Sequence, residues 1–390
     1  MRSNFFRSYW FWHCGEGFQT ILMMWYMTFH AKLSASEIGF YQSLQLLPFL
    51  IFTAMGGSLT DRIGARISFA ASTGLFAITL GFYGLTDPLL GFHPWLFAGY
   101  CLLSGVLSAV SNPAIDTFIP EATPRPAGEN ALLAATVHNI AKLSGNAATL
   151  LLPVLSALGG FVVNGLLMAT SVFFLARHPA APRPGRPNRQ AHAFRRVPAH
   201  FRANPASFDI FLGSVMLGMF TIPAMYIFHP LVLRSSFPEE GGLIGLTGLV
   251  GWIGAIAASA LALRLSSRIR HPGRVALAVW AAVAGLFLLL PMVGSFPAFL
   301  ILLCLIGGNA VGKAMIYGHY LRDAPEVDRG FLIGIDQTAF WGLATLGTMA
   351  LGALVDHIGL GPAILANSAA IFGCLAVLLV RGRLWSLPRA

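Results

Sequence analysis

Apolar residues run through this chain in blocks of about 20, separated by short breaks of glycine, proline and charge, from the first lines to the last. Blocks of that length suit helices that cross the hydrocarbon of a bilayer. The breaks place spans at 8–30, 36–57, 66–86, 94–118, 130–154 and 158–176, and again at 208–232, 242–264, 274–293, 296–319, 330–354 and 360–380. The pattern predicts an all-α membrane protein of twelve transmembrane helices in two sets of six. The first block, Phe5 to Thr28, lacks a short apolar core followed by a small-residue cleavage site, and it contains Glu16, so it reads as a span and not a removed signal.

Composition agrees with the pattern: of 390 residues 56% are hydrophobic and 10% charged, and the mean hydropathy of +0.71 falls outside the range of soluble domains. Between the two sets lies a break rich in proline and arginine, from Pro179 to Pro198 and Arg183 to Arg202, without an acidic residue. The chain divides accordingly into an N-terminal bundle (1–177), a basic cytosolic linker (178–205) and a C-terminal bundle (206–390). Of 25 lysines and arginines, 21 fall on one side of the predicted membrane; Lys32 and Arg234 fall on the other, and Lys142 and Lys313 lie within spans. By the positive-inside rule both termini are cytosolic, in a multi-pass protein of the cell inner membrane. The net charge of +10 is explained by this topology and not by nucleic acid. Cys14, Cys101, Cys304 and Cys374 lie in apolar blocks without metal-ligand spacing, so neither a metal site nor a disulfide framework is expected.

The break after the second span reads Gly57-Ser58-Leu59-Thr60-Asp61-Arg62-Ile63-Gly64-Ala65-Arg66. It resembles the loop signature of the major facilitator superfamily. Physically, Gly57 permits close helix packing, Gly64 a tight reversal, and Asp61 can accept hydrogen bonds from a helix N-terminus while Arg62 and Arg66 stay in the cytosol. These five residues are assigned to gating. A partial echo, Gly352 to Gly359, closes the eleventh span, while the break between spans eight and nine, Arg264 to Arg270, has no acid. Gly15-Glu16, Asn112-Pro113-Ala114, Ile119-Pro120-Glu121 and Glu129-Asn130-Ala131 resemble the drug, macrolide and siderophore exporter branch of the superfamily. The resemblance implies two pseudo-symmetric six-helix bundles around an aqueous cavity, and proton-coupled export. The fourth span lacks the arginine of many proton antiporters, and Gly145-Asn146 stands where exporters commonly carry Gly-Pro.

An ionisable side chain at bilayer depth costs about 2.5–3.5 kcal/mol, which makes each one a functional candidate. Helical spacing groups them: His13, Glu16 and Gln19 on one stripe, His138, Lys142, Asn146 and Thr149 on a second, Asn309, Lys313 and Tyr317 on a third. Glu16, His138 and Asp336 are the candidates for proton coupling. Gln19, Lys142, Asn146, Asn309, Lys313, Tyr317 and Trp341 are the candidates for binding a small amphipathic, anionic or zwitterionic solute. The same residues also allow a structural role, with Glu16 pairing Lys142 and Asp336 pairing Lys313 only to hold helices together.

The chain carries no Walker loop, dinucleotide fingerprint, paired zinc ligands or nucleophile elbow, so no cofactor is implied and transport must draw on a proton or other ion gradient. The expected partners are solute, coupling ion and lipid, with the protein a monomer. A lysophospholipid flippase or small-metabolite importer is the alternative on this fold, and an intramembrane enzyme a more distant one.

Overall fold

The computed structural model describes residues 3–178, 193–325 and 329–388, and among them every regular element is helical. The first half contains α1 (Asn4–Trp25), α2 (Ala35–Ile63), α3 (Ala65–Leu90), α4 (Pro94–Asp116), α5 (Ala127–Ala148) and α6 (Leu152–Ala176). A short helix, α7 (Ala193–Ala203), precedes α8 (Pro205–Met216) and α9 (Ile222–Ser236), which a single π-helical turn joins into one rod. There follow α10 (Ile244–Leu265), α11 (Pro272–Leu289), α12 (Phe296–Gly307), α13 (Ala310–Asp323), α14 (Arg329–Gln337), α15 (Leu343–Ile358) and α16 (Leu360–Arg381). Taking α8 with α9, α12 with α13 and α14 with α15 as broken rods, the order is consistent with six spans, a linker and six spans. Nine described stretches are long and apolar enough to cross a membrane. One of them covers 49 residues, Gly128–Ala176, about 74 Å of helix at 1.5 Å per residue and more than twice the hydrocarbon thickness. It must turn back, and it does so at Ser156, whose φ of 60° breaks the helix.

The surface is the inverse of a soluble protein's. Leu89, Val154, Leu263 and Val380 are all more than three-quarters exposed, whereas Ser8, Ser104, Ser111, Asn130, Asn164 and Asp336 are sealed inside. Exposed aliphatics cost nothing against lipid tails, while polar groups there have no partner, so the sequence turns them inward.

The described chain divides into two compact units: 1–33, 44–188 and 241–249 form one, and 34–43, 189–240 and 250–390 the other. In the first unit α1 packs on α5 and α6, and α3 on α4 and α6. Hydroxyls join them: Ser8 with Ser171 at 3.0 Å, Ser72 with Ser111 at 2.6 Å and Thr73 to Ser111 at 3.0 Å. In the second unit α11 packs on α13 and α16, with the buried Trp280 against Gly213 and Gly312.

Two expectations change. The break holding the gating motif is helical as far as Ile63; Gly64, at φ 88°, makes the reversal alone and α3 restarts at Ala65. The Gly56-Gly57 pair at the apolar boundary does not stop α2, which runs on to Ile63. Gly57, Asp61 and Arg62 are thus on α2 and not in a loop, and their side chains lie outside the described residues. Residues 179–192 of the linker also lie outside them, but its second part is the helix α7, whose Phe201 packs on Phe208 and Phe211.

The α1–α5 crossing is made by glycines. A Cβ on Gly145 would stand 2.1 Å from the Cys14 carbonyl oxygen, and one on Gly17 2.7 Å from that of Lys142. Gly145→Ala is therefore expected to force the helices apart and cost about 1–3 kcal/mol, read as a lowered thermal midpoint in detergent, while Gly74→Ala, with nothing within 4 Å, leaves it unchanged or slightly raised.

Candidate functional site

Because α1 and α5 touch backbone to backbone, their polar stripes meet. Glu16 on α1 and Lys142 on α5 form an ion pair, Nζ to Oε2 at 3.1 Å. The same Oε2 lies 2.6 Å from His13 Nδ1, one turn back on α1, and Asn112 Nδ2 of α4 donates to Oε1 at 3.0 Å. Trp12 Nε1 in turn donates to Asn112 Oδ1 at 2.9 Å, which fixes the amide's orientation. One carboxylate thus gathers a cation, an imidazole and an amide from three helices. The ring of His138, a turn from Lys142, packs edge-on against His13 with centroids 4.2 Å apart. Toward the end of the bundle that carries the arginines, Asp116 of α4 is close enough to repel Glu16, and the Tyr9 phenol approaches it.

The second unit holds a separate pair. Lys313 of α13 donates to Asp336 Oδ2 of α14 at 2.7 Å, and Ser214 Oγ of α8 donates to Oδ1 at 2.5 Å. The Lys313 ammonium also lies over two rings, Phe340 at 4.3 Å and Tyr317 at 5.2 Å from the centroids. The pairs differ in access. The difference lies in the acids: Asp336 is 0% exposed and Glu16 17%, while the lysines are alike, Lys142 at 16% and Lys313 at 17%.

Other candidates are spent elsewhere. Asn146 turns its amide to the Lys142 carbonyl of its own helix at 2.9 Å, and Gln19 is held from both ends, donating to Tyr100 Oη at 2.5 Å and accepting from Asn164. Asn309 lies at the break between α12 and α13 with its amide on Met225 Sδ at 3.7 Å, and Trp341 packs edge-on to Phe340 beside the lysine. Of the gating residues, Arg66 donates to the His178 carbonyl. Asp356, the acid of the partial echo, caps the first turn of α2, accepting from the Ala35 and Ser36 amides at 3.1 and 2.8 Å.

Sequence reasoning passed over His13 as a partner of the acid, and over Asn112, Asp116 and Ser214. The i to i+3 spacing of His13 and Glu16 was a signal for the first. Asn112 sits beside a proline in a motif that reads as a helix end, and nothing local marks it as facing α1. Among the described residues no group of three or more metal-ligating side chains converges.

A family model of the Major Facilitator Superfamily matches residues 8–340. No curated protein matches the chain. Among solved structures it is similar to a mutant of the nucleoside transporter NupG, with a TM-score of 0.80 at 14% identity over 97% of this chain and 98% of that one. It is also similar to a POT family transporter in complex with 5-aminolevulinic acid, with a TM-score of 0.76 at 12% identity over 97% and 94% of the two chains. A D-xylose-proton symporter matches with a TM-score of 0.74 at 14% identity over 99% and 97%. At such identities the likeness is one of fold. The family match is of a different kind, since it runs through the helices that carry both ion pairs, and the chain belongs to the Major Facilitator Superfamily of secondary transporters.

Proposed function

We propose that the chain is a proton-coupled symporter that imports a small anionic or zwitterionic solute by alternating access, with both termini on the arginine-rich, cytosolic side of the cell membrane. Glu16 takes up the coupling proton, and Lys142 receives the solute. The supporting observation is that Lys142 already has its acid at 3.1 Å. A solute carboxylate arriving at Lys142 has to displace Glu16. A carboxylate that loses its cation in a low-dielectric site takes up a proton. Solute and proton then occupy the protein together, and an inward proton gradient draws both inward. Exchange in opposite directions needs the reverse, a cationic solute competing with the proton for the acid, and here a lysine stands in that place.

The neighbours in fold favour the same class: one is named a proton symporter, and one was crystallised with 5-aminolevulinic acid, a zwitterion with a free carboxylate. The exporter-like motifs of the first half point to drug or siderophore export instead, and direction is decided by experiment. In proteoliposomes loaded with a pH-sensitive dye, small carboxylates, amino acids and nucleosides that raise the protein's thermal midpoint are offered under an imposed gradient. Uptake with internal acidification is expected; solute leaving as protons enter would overturn symport.

Two variant sets separate chemistry from scaffolding. Glu16→Gln is expected to keep solute counterflow and lose proton-driven accumulation; equal accumulation would refute the coupling role. The double variant Glu16→Gln/Lys142→Met removes both charges, so it is expected to regain most of the stability lost in Lys142→Met alone while staying inactive. A fully active double variant would mean that the pair only holds helices together. Asp336→Asn, which breaks the pair whose carboxylate is 0% exposed, is expected to cost about 3–5 kcal/mol, a larger fall in thermal midpoint than Glu16→Gln causes.

A further inference from the structure

A second acid–histidine pair lies in the first unit, away from Glu16. Asp87, in the last turn of α3, accepts a hydrogen bond from the Tyr26 hydroxyl at Oδ1, and His30 Nε2 lies 2.9 Å from Oδ2. Tyr26 also shares a hydrogen bond with Tyr83 at 2.7 Å. α3 begins beside Arg66, so Asp87 is at the arginine-poor end of the bundle. The His30 side chain is 38% exposed and that of Asp87 6%, so solvent reaches the carboxylate by way of the imidazole. Behind them Phe97 and Phe161 close on Tyr26, ring centroids 5.2 and 5.4 Å away.

A buried acid beside a half-exposed histidine could simply pin α1 to α3. The placement along α1 argues for more. His13, Glu16, Gln19, Tyr26 and His30 recur every three or four residues, except for one step at Met23, and so share one face of α1 from the Glu16 cluster to the arginine-poor end. Side chains from other helices continue that face: Tyr83 stacks on Tyr100 with centroids 4.8 Å apart, and Tyr100 accepts from Gln19, one turn from Glu16. The π-helical turn Tyr26–His30 aims the final residues of the face at α3.

We propose that His30 and Asp87 form a proton-loading site, open to the side of the membrane opposite the arginine-rich ends, that supplies the α1 face leading to Glu16. The proton binds the lone pair of the unprotonated ring nitrogen of His30, giving an imidazolium whose charge the Asp87 carboxylate balances; the Tyr26 hydroxyl holds that carboxylate in place. The groups facing the pair are Tyr26 from α1 and Tyr83 from α3, with the uncharged Phe97 and Phe161 from α4 and α6; Lys32 and His93 are the nearest ionisable residues along the chain. This proposal rests on the assignment of Glu16 as the coupling residue.

The indole of Trp25 lies 5.7 Å from the His30 ring, and a protonated imidazole quenches indole emission at such range, so the proton itself is the probe. In sealed, oriented proteoliposomes with a buffered neutral interior, acidifying the arginine-poor side is expected to quench the emission that Trp25→Phe removes. His30→Gln should abolish the change. Asp87→Asn, which takes the countercharge from the imidazolium, should shrink the change severalfold, with Asp87→Glu restoring it. A second readout, the infrared carboxylic-acid band that Glu16→Gln deletes, should rise more slowly after the acid step in Asp87→Asn. Trp25 emission indifferent to that side's pH, or a Glu16 band rising at the wild-type rate in Asp87→Asn, overturns the loading site. A Glu16 band absent in every variant while Trp25 still responds sinks the symport reading and removes the site's role with it, an outcome distinct from either failure of the site alone.

Discussion

A carboxylate inside a hydrocarbon slab has no water to lean on, and the first unit is arranged around that constraint. Glu16 finds a histidine one turn back on its own helix, and a lysine and an amide on helices that close packing brings within reach. The packing comes from residues with no side chain: Gly17 and Gly145 let α1 and α5 approach until carbonyl oxygens lie where a Cβ would be. Small residues and a buried charge are therefore two parts of one solution. Bulk at either glycine would widen the crossing by more than a lysine can reach.

The second unit meets the same constraint differently. Asp336 takes a lysine and a serine hydroxyl and is sealed, and its lysine leans on two aromatic faces. Another pair, Arg381 with the buried Asp209 at 2.6 Å, ties α8 to α16 in the same unit. The Asp336 carboxylate can be reached only by moving its neighbours, whereas that of Glu16 is partly open. That difference in access, and not the number of charges, separates a group suited to chemistry from one suited to holding an arrangement.

Much of this was legible in the chain itself. Apolar blocks gave the spans because a bilayer leaves so few alternatives, and helical spacing put Glu16, Lys142 and Lys313 on polar stripes because each such group must turn inward. The partners of Glu16 within α1 and α5 follow from those stripes. What could not be read depends on helix rotation and on local competition for hydrogen bonds. Asn146 shares the stripe of Lys142 but bonds to its own backbone, an option open to any asparagine in a helix. Asn112 reaches the site because α4 carries it past α1, a matter of tertiary crossing. Asp87 and Asp116 sit at predicted span ends, where an acid ordinarily means a solvated turn, and only the folded bundle shows what each one faces. The gating motif misled in another way, since its residues read as a loop but glycine at a single position was enough for the reversal.

The sign of coupling follows from how the resting site is neutralised. A cavity whose acid is bare attracts a proton or a cation, and the two exclude each other; a cavity whose acid is already matched by a lysine is neutral, and admits an anion only if a proton comes with it. Adding a solute anion alone to the Glu16–Lys142 pair would leave one uncompensated negative charge among helices with low polarisability, a state costly by several kcal/mol. Adding a proton alone would leave Lys142 stranded. For a solute of net negative charge only the doubly loaded and the empty states keep the site neutral, and these are the two states that the proposed symport would pass between the faces of the membrane. Under that proposal the ion pair would act as a selection rule on which occupancies can cross, without any residue having to recognise more than charge and size.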